Sequence, residues 1–170
     1  EEVDHLETAL HDLAGVLKRQ AEELRQIDQI TMRINAGMLL DQVLNQLYDD
    51  FRDLIPYHRI GLGLIENEGQ TVRARWNKSD QRSIRLRRNY AAPLVGSSLE
   101  TILQTNQPRI INDLQDYLHH KPESESTRLI VEEGYRSSLT CPLIANGGPV
   151  GFLFFSSLQP DIYRDTHVAL

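Results

Sequence analysis

The segment that most restricts the fold lies near the C-terminal end. It runs Glu133-Gly134-Tyr135-Arg136-Ser137-Ser138-Leu139-Thr140-Cys141-Pro142-Leu143-Ile144, then Asn146-Gly147-Gly148-Pro149, then Val150-Gly151-Phe152-Leu153-Phe154-Phe155-Ser156-Ser157. Two apolar runs rich in β-formers flank a Gly-rich turn signal, which predicts an antiparallel hairpin. Upstream, Arg59 to Ile65 alternates as a strand, with Ile60, Leu62 and Leu64 on one face. Glu66-Asn67-Glu68-Gly69 reads as a turn, Thr71 to Trp76 as a second strand and Ser83 to Tyr90 as a third. Ser97-Ser98-Leu99-Glu100 opens a short helix that runs to Thr105, and Pro108 to Ile111 is a short strand. Gln115 to Ser126 is polar and carries Pro122, which predicts a mobile loop or lid. Thr127 to Glu133 is a short helix stopped by Gly134.

A second pattern occupies the first 36 residues. Val3, Leu6, Leu10, Leu13, Leu17, Gln20, Leu24, Ile27, Thr31 and Ile34 follow alternating steps of three and four. That is the a/d seam of a two-stranded coiled coil, with Gln20 and Thr31 as polar interruptions that fix register. Asn35-Ala36-Gly37 is expected to break this helix. Asp41 is expected to open the next one, with Val43, Leu44, Leu47, Phe51, Leu54 and Ile55 on its apolar face and Pro56 at its end. Residues from Asp161 to Leu170 begin a further helix. A chain that starts in one helix and stops inside another is expected of a module cut from a longer protein.

Composition removes several classes. The longest apolar runs fall far short of the ~18 residues of a membrane span, and Glu1-Glu2-Val3-Asp4 is no signal peptide. A single cysteine excludes an intramolecular disulfide and a Cys-rich metal centre. A cytoplasmic location is expected, possible also for a module of a membrane-anchored parent. Residues 1–30 hold eight acids against Lys18, Arg19 and Arg25, which is −5 of the formal −6. The rest is nearly neutral, so no nucleic-acid partner is expected.

Four motifs in order carry a family likeness. The hairpin has the form G-x-R-S-x-L-x-x-P-L followed by G-x-(L/F)-x-(L/F)-x-S. The others are Val95-Gly96-Ser97-Ser98-Leu99, Gln107-Pro108-Arg109-Ile110-Ile111-Asn112-Asp113-Leu114 and Leu158-Gln159-Pro160-Asp161-Ile162-Tyr163. Together they make the chain resemble a GAF domain, a small-molecule sensor module of bacterial signal-transduction proteins, two-component systems among them. The resemblance implies an α+β fold, PAS-related, with a central antiparallel sheet flanked by helices. The domain would span residues 37–170, with its C-terminal helix truncated, behind a coiled-coil signalling helix over 1–36. It also implies a ligand pocket, for which Tyr90, Ile111, Asp113, Leu114, Tyr135, Ser138 and Phe154 are the lining candidates. Aromatic rings and leucine would bury an unidentified small molecule, and Asp113, Ser138 and the tyrosine hydroxyls would orient it. Partners implied are a second copy, held through the N- and C-terminal helices, and an attached output domain. That domain would be a histidine kinase, a cyclic-dinucleotide enzyme or a transcription activator. The alternative is a ligand-free dimerisation and interaction module.

The chemical candidates read as structural. Cys141, between Thr140 and Pro142 in a strand, is a small hydrophobe. Relatives that reduce methionine sulfoxide use several cysteines, and bilin-binding relatives a Cys often followed by His, so neither pattern carries over. His119-His120 reads as a solvated pair with no third ligand nearby. No metal, haem or bilin is therefore expected, and no catalytic residue: hydrolase, kinase and metalloprotease motifs are missing from the sequence. Asn77-Lys78-Ser79-Asp80 reads as a turn. Arg73, Arg75, Lys78, Arg82, Arg85, Arg87 and Arg88 cluster within sixteen positions against Asp80 alone. They read as a charged guard on an exposed hairpin, or as a site for an anion or an acidic partner surface.

Overall fold

A computed structural model describes residues 2–168, with side chains from 12 to 168. It falls into two units by contact, Glu1–Leu44 and Asn45–Leu170. Helix α1 (Glu2–Asp50) is continuous, so the expected break at Asn35-Ala36-Gly37 and the new start at Asp41 do not occur. One glycine costs a helix only about 1 kcal/mol, and the helix-forming Met38, Leu39 and Leu40 follow it without a proline. The seam residues Leu13, Leu17, Leu24, Ile27 and Ile34 are all more than half exposed. Val3, Leu6 and Leu10 lie outside the described side chains. A 3₁₀ turn, Phe51–Asp53, follows α1.

Six strands form one sheet: β1 (Arg59–Glu66), β2 (Thr71–Ser79), β3 (Ala91–Pro93), β4 (Arg109–Ile111), β5 (Ser137–Ala145) and β6 (Gly148–Ser157). Their order is β3-β2-β1-β6-β5-β4, and every neighbouring pair is antiparallel. The predicted hairpin is β5–β6. Its turn is the two residues Asn146 (φ 52°) and Gly147 (φ 78°), the positive-φ pair that matches strand twist. β2 runs on through Asn77-Lys78-Ser79, which is strand rather than turn. Three short helices complete the fold: α2 (Ser98–Thr105), α3 (Leu114–His120) and α4 (Glu125–Glu132).

Two sequence expectations fail beside the sheet. Ser83 to Tyr90 is not a strand; the third strand is β3, which pairs with Thr71–Arg73 of β2. Arg85 and Leu86 give their N–H groups to a buried carboxylate instead of a ladder, and Asn89 takes a left-handed φ of 72°. The arginines of 73–75 and 85–87 therefore do not lie on one exposed hairpin. Nor is Gln115 to Ser126 a loop, since α3 and the start of α4 occupy it. Asp113 caps α3 by accepting the N–H groups of Gln115 and Asp116, both at 3.0 Å, while Leu114 anchors it in the interior.

The predicted terminal helix does not begin at Asp161. The Asp161 N–H bonds to the Asn112 carbonyl, and the Asn112 side chain brackets Tyr163, accepting its N–H and donating to its carbonyl. Those bonds pin 161–163, with Asp161 at a left-handed φ of 56°, and only a 3₁₀ turn, Asp165–His167, follows. Ala169 and Leu170 lie outside the described residues.

Register assigns the sheet's two faces. Ile60, Leu62, Leu139 and Phe155 share the outer face, where the Phe51 and Tyr57 rings pack on Phe155 at centroid distances of 6.0 and 5.6 Å. Arg59, Gly61 and Gly63 share the inner face with Ser138, Thr140, Phe152, Phe154 and Ser156, and β4 adds Ile111. At one end of this face Val72 and Phe152 cluster with Leu94 and Ile102 of the α2 region. Close packing there demands glycine: a Cβ on Gly151 would stand 2.2 Å from the Gly63 carbonyl oxygen.

Candidate functional site

The other end of the inner face is polar and buried. Arg59 opens β1, and Glu133 follows the last turn of α4; their side chains are 2% and 0% exposed. Arg59 Nε lies 4.0 Å from Glu133 Oε2. Glu133 Oε1 accepts the N–H groups of Arg85 and Leu86, both at 2.7 Å, and Arg59 Nη2 donates to the Leu86 carbonyl at 3.1 Å. The pair thus grips the backbone of the segment 81–90 and holds it against the sheet. Burial lowers the Arg59 pKa, and the charge of Glu133 works against that shift. Beside them the Tyr135 hydroxyl meets Ser79 Oγ at 2.6 Å, and Ser79 Oγ accepts the Gln81 N–H. Burial pushes the Tyr135 hydroxyl pKa up, so it is a neutral hydrogen-bonding group.

Not every polar atom here is used. Arg59 Nε, Glu133 Oε2 and Ser156 Oγ are buried without a hydrogen-bond partner. Arg59 and Ser156 are direct cross-strand partners. An unsatisfied buried polar group costs about 1–3 kcal/mol, and such groups are few in folded proteins. Arg59 Nε and Glu133 Oε2 face each other at 4.0 Å, beyond hydrogen-bond distance, and Ser156 Oγ lies on the neighbouring strand.

The residues predicted to line a pocket divide into two sets. Ile111, Ser138 and Phe154 meet on the inner face by register, and buried Tyr135 reaches the same face through Ser79. Leu114 is buried at the start of α3. Asp113 is exposed and committed to its cap. Tyr90 lies beyond the gripped backbone, with its carbonyl accepting the Ala74 N–H and its hydroxyl 3.3 Å from Glu125 Oε2. Arg59, Glu133 and Ser156 escaped the sequence reading. The adjacent acids Glu132 and Glu133 point apart, Glu132 to the exposed Arg85 and Glu133 to the buried Arg59.

The other chemical candidates stay apart from this face. Cys141 is half-buried opposite Leu153, and burial alone pushes its thiol up to about 11, far from a reactive thiolate. His119 and His120 end α3 exposed, with His120 Nδ1 at the Asp116 carbonyl. Among the described residues, no three His, Cys, Asp or Glu side chains gather as a metal site, and no helix is long and apolar enough to cross a membrane.

A family model described as GAF domain matches residues 38–170. The chain belongs to the GAF domain family. In fold this GAF domain is similar to the GAF domain of a two-component sensor histidine kinase from Bacillus halodurans. The two are 21% identical over 76% of this chain and 84% of that one, with a TM-score of 0.63. It is similar to the GAF domain region of a putative membrane protein from Geobacter sulfurreducens, at 20% identity, 81% and 86% coverage, and a TM-score of 0.56. It also resembles a type II free methionine-R-sulfoxide reductase from Thermoplasma acidophilum, at 13% identity, 78% and 84% coverage, and a TM-score of 0.54. At these identities the likeness is one of fold. No curated protein matches the chain by sequence.

Proposed function

We propose that this GAF domain is a regulatory sensor of a small polar molecule, in a cytoplasmic signalling protein, and not an enzyme. The ligand sits on the inner face of the sheet, against Arg59, Glu133 and Ser156, with Ile111, Ser138, Tyr135 and Phe154 around it. The observation that carries this reading is the buried Arg59–Glu133 pair: it holds the segment 81–90 by backbone bonds yet keeps donor and acceptor atoms unspent. A ligand that pairs those atoms competes with or reinforces the grip on 81–90, and so shifts a two-state equilibrium by its differential affinity. Output passes through α1, paired with α1 of a second copy along the exposed seam, to an attached output domain. The similar structures from a sensor histidine kinase and a putative membrane protein favour such a setting.

Native mass spectrometry and a thermal-shift screen of polar metabolites test the ligand. The expected result is a compound that raises Tm by several degrees in the wild type and fails to do so in Glu133→Gln. Ser156→Ala supplies the control for folding. Deleting an orphaned hydroxyl is expected to leave the ligand-free Tm unchanged or slightly higher, while weakening the hit. A bare polypeptide mass and a screen without hits overturn the sensor reading in favour of a ligand-free dimerisation module.

A further inference from the structure

The arginines of β1 and β2 have acidic partners: Arg59 faces Glu133, and Arg73 and Arg75 both pair with Glu66. Among the described residues Arg109, the first residue of β4, has none. It shares the inner face with Thr140 by register. Its Nη1 donates to Ser98 Oγ, its guanidinium carbon lies 5.8 Å from the centre of the Tyr117 ring, and its Nε is buried without a hydrogen-bond partner. Burial lowers its pKa, and only Tyr117 works against that shift. A guanidinium drawn out of water without a counter-charge is costly. β4 ends the sheet, so its far edge carries no strand. A cleft of about 440 Å³ runs there between β4 and α3. Arg109 and Ile111 line it from the strand, and Asp113, Asp116, Tyr117 and His120 from one face of the helix. Asp113 spends Oδ1 on its cap, and Asp116 Oδ2 lies 3.6 Å from His120 Nδ1. The cleft thus has a cationic side at Arg109 and an acidic side in the first turn of α3.

We infer that this cleft binds a free α-amino acid, its carboxylate against Arg109 and its ammonium toward Asp113 and Asp116. A carboxylate meets a guanidinium in charge-assisted hydrogen bonds. A polyanion would face both aspartates, and a simple amine would face the arginine. A ligand that carries one charge of each sign suits both sides. Asp113 and Tyr117, which stands beside Arg109, are one turn apart, about 6 Å along the helix axis. The two charged groups of one amino acid bridge such a gap. Ile111 and the Tyr117 ring give its side chain apolar contact, and the volume falls within the range of small-molecule sites, about 300–1,000 Å³. In the sheet order β1-β6-β5-β4, three strand spacings separate Arg109 from Arg59, about 14 Å. Ile111 borders both places, but the inference does not depend on any ligand held by Arg59 and Glu133.

Isothermal titration calorimetry of the full chain with phenylalanine, phenylpropanoate and phenylethylamine tests this, since the second lacks the ammonium and the third the carboxylate. The expected result is saturable binding of phenylalanine, about tenfold or more tighter than of either analogue. Arg109→Lys keeps the charge but not the fork, and weakens phenylalanine about fivefold or more. Asp116 is exposed, so Asp116→Asn is expected to fold as the wild type does. It weakens phenylalanine and leaves phenylpropanoate unchanged, a pattern that a general loss of structure does not produce. Arg33→Ala, at an exposed position of α1, changes none of these affinities. No saturable heat with either phenylalanine or leucine at millimolar concentration overturns the inference. So does equal affinity for phenylalanine and phenylpropanoate, or an Asp116→Asn variant that weakens both acids alike.

Discussion

Asp80 shows how one side chain fixes where the gripped segment begins. Its carboxylate accepts the Tyr48 hydroxyl at 2.6 Å and Arg52 Nη2 at 2.7 Å, and its N–H bonds to the His58 carbonyl. Burial pushes its pKa up, but the hydrogen bonds from Tyr48 and Arg52 outweigh that and hold it below the ordinary carboxylate value. A depressed folded pKa adds stability that is fully present above about pH 4 and is lost as the pH falls through the lower folded value. Asp80→Asn is therefore expected to lower the urea midpoint at pH 7, with the difference from wild type vanishing in acid; a constant difference across pH would show that charge is irrelevant there. At this scale the sequence was only partly informative. Ile111, Ser138 and Phe154 could be placed by strand period, because alternation in β4, β5 and β6 is strict. Arg59 and Glu133 could not, because an arginine at a strand start and an acid beside Gly134 look like surface residues until a distant backbone segment covers them.

Elements were legible where apolar period and turn chemistry agreed. The β5–β6 hairpin, with Asn146-Gly147 between two apolar runs, and α2, with Ser97 and Glu100 satisfying the Leu99 and Gly96 N–H groups, follow from local rules. The segment 81–90 misled because alternating arginines imitate a strand, whereas its backbone bonds go to side chains across the sheet. α3 was missed because its apolar positions, Leu114, Tyr117 and Leu118, span barely two turns among polar residues, with Pro122 close behind. Its existence rests on the Asp113 cap and on one buried residue, Leu114. Asp113→Ala is accordingly expected to cost about 1 kcal/mol and to raise amide hydrogen exchange within 114–120 while β5 and β6 stay protected. Unchanged exchange in α3 would show that the cap is dispensable.

For the whole molecule, the GAF assignment was readable from four motifs in order, and the antiparallel sheet followed from that family resemblance. The unbroken α1 was not, because Asn35-Ala36-Gly37 carries the residues of a helix end, yet one glycine costs only about 1 kcal/mol and helix formers follow it. The functional account turns on the described seam of Leu13, Leu17, Leu24, Ile27 and Ile34, which repeats with the 3.5-residue period of a two-stranded coil and lies open to solvent in a single chain. Sedimentation equilibrium of the chain and of a Leu17→Lys/Leu24→Lys variant tests it most directly. The account predicts a dimer for the wild type at micromolar concentration and a monomer for the variant with the same sheet signature by circular dichroism. A wild-type monomer throughout that range, or a dimer that survives both lysines, would contradict it.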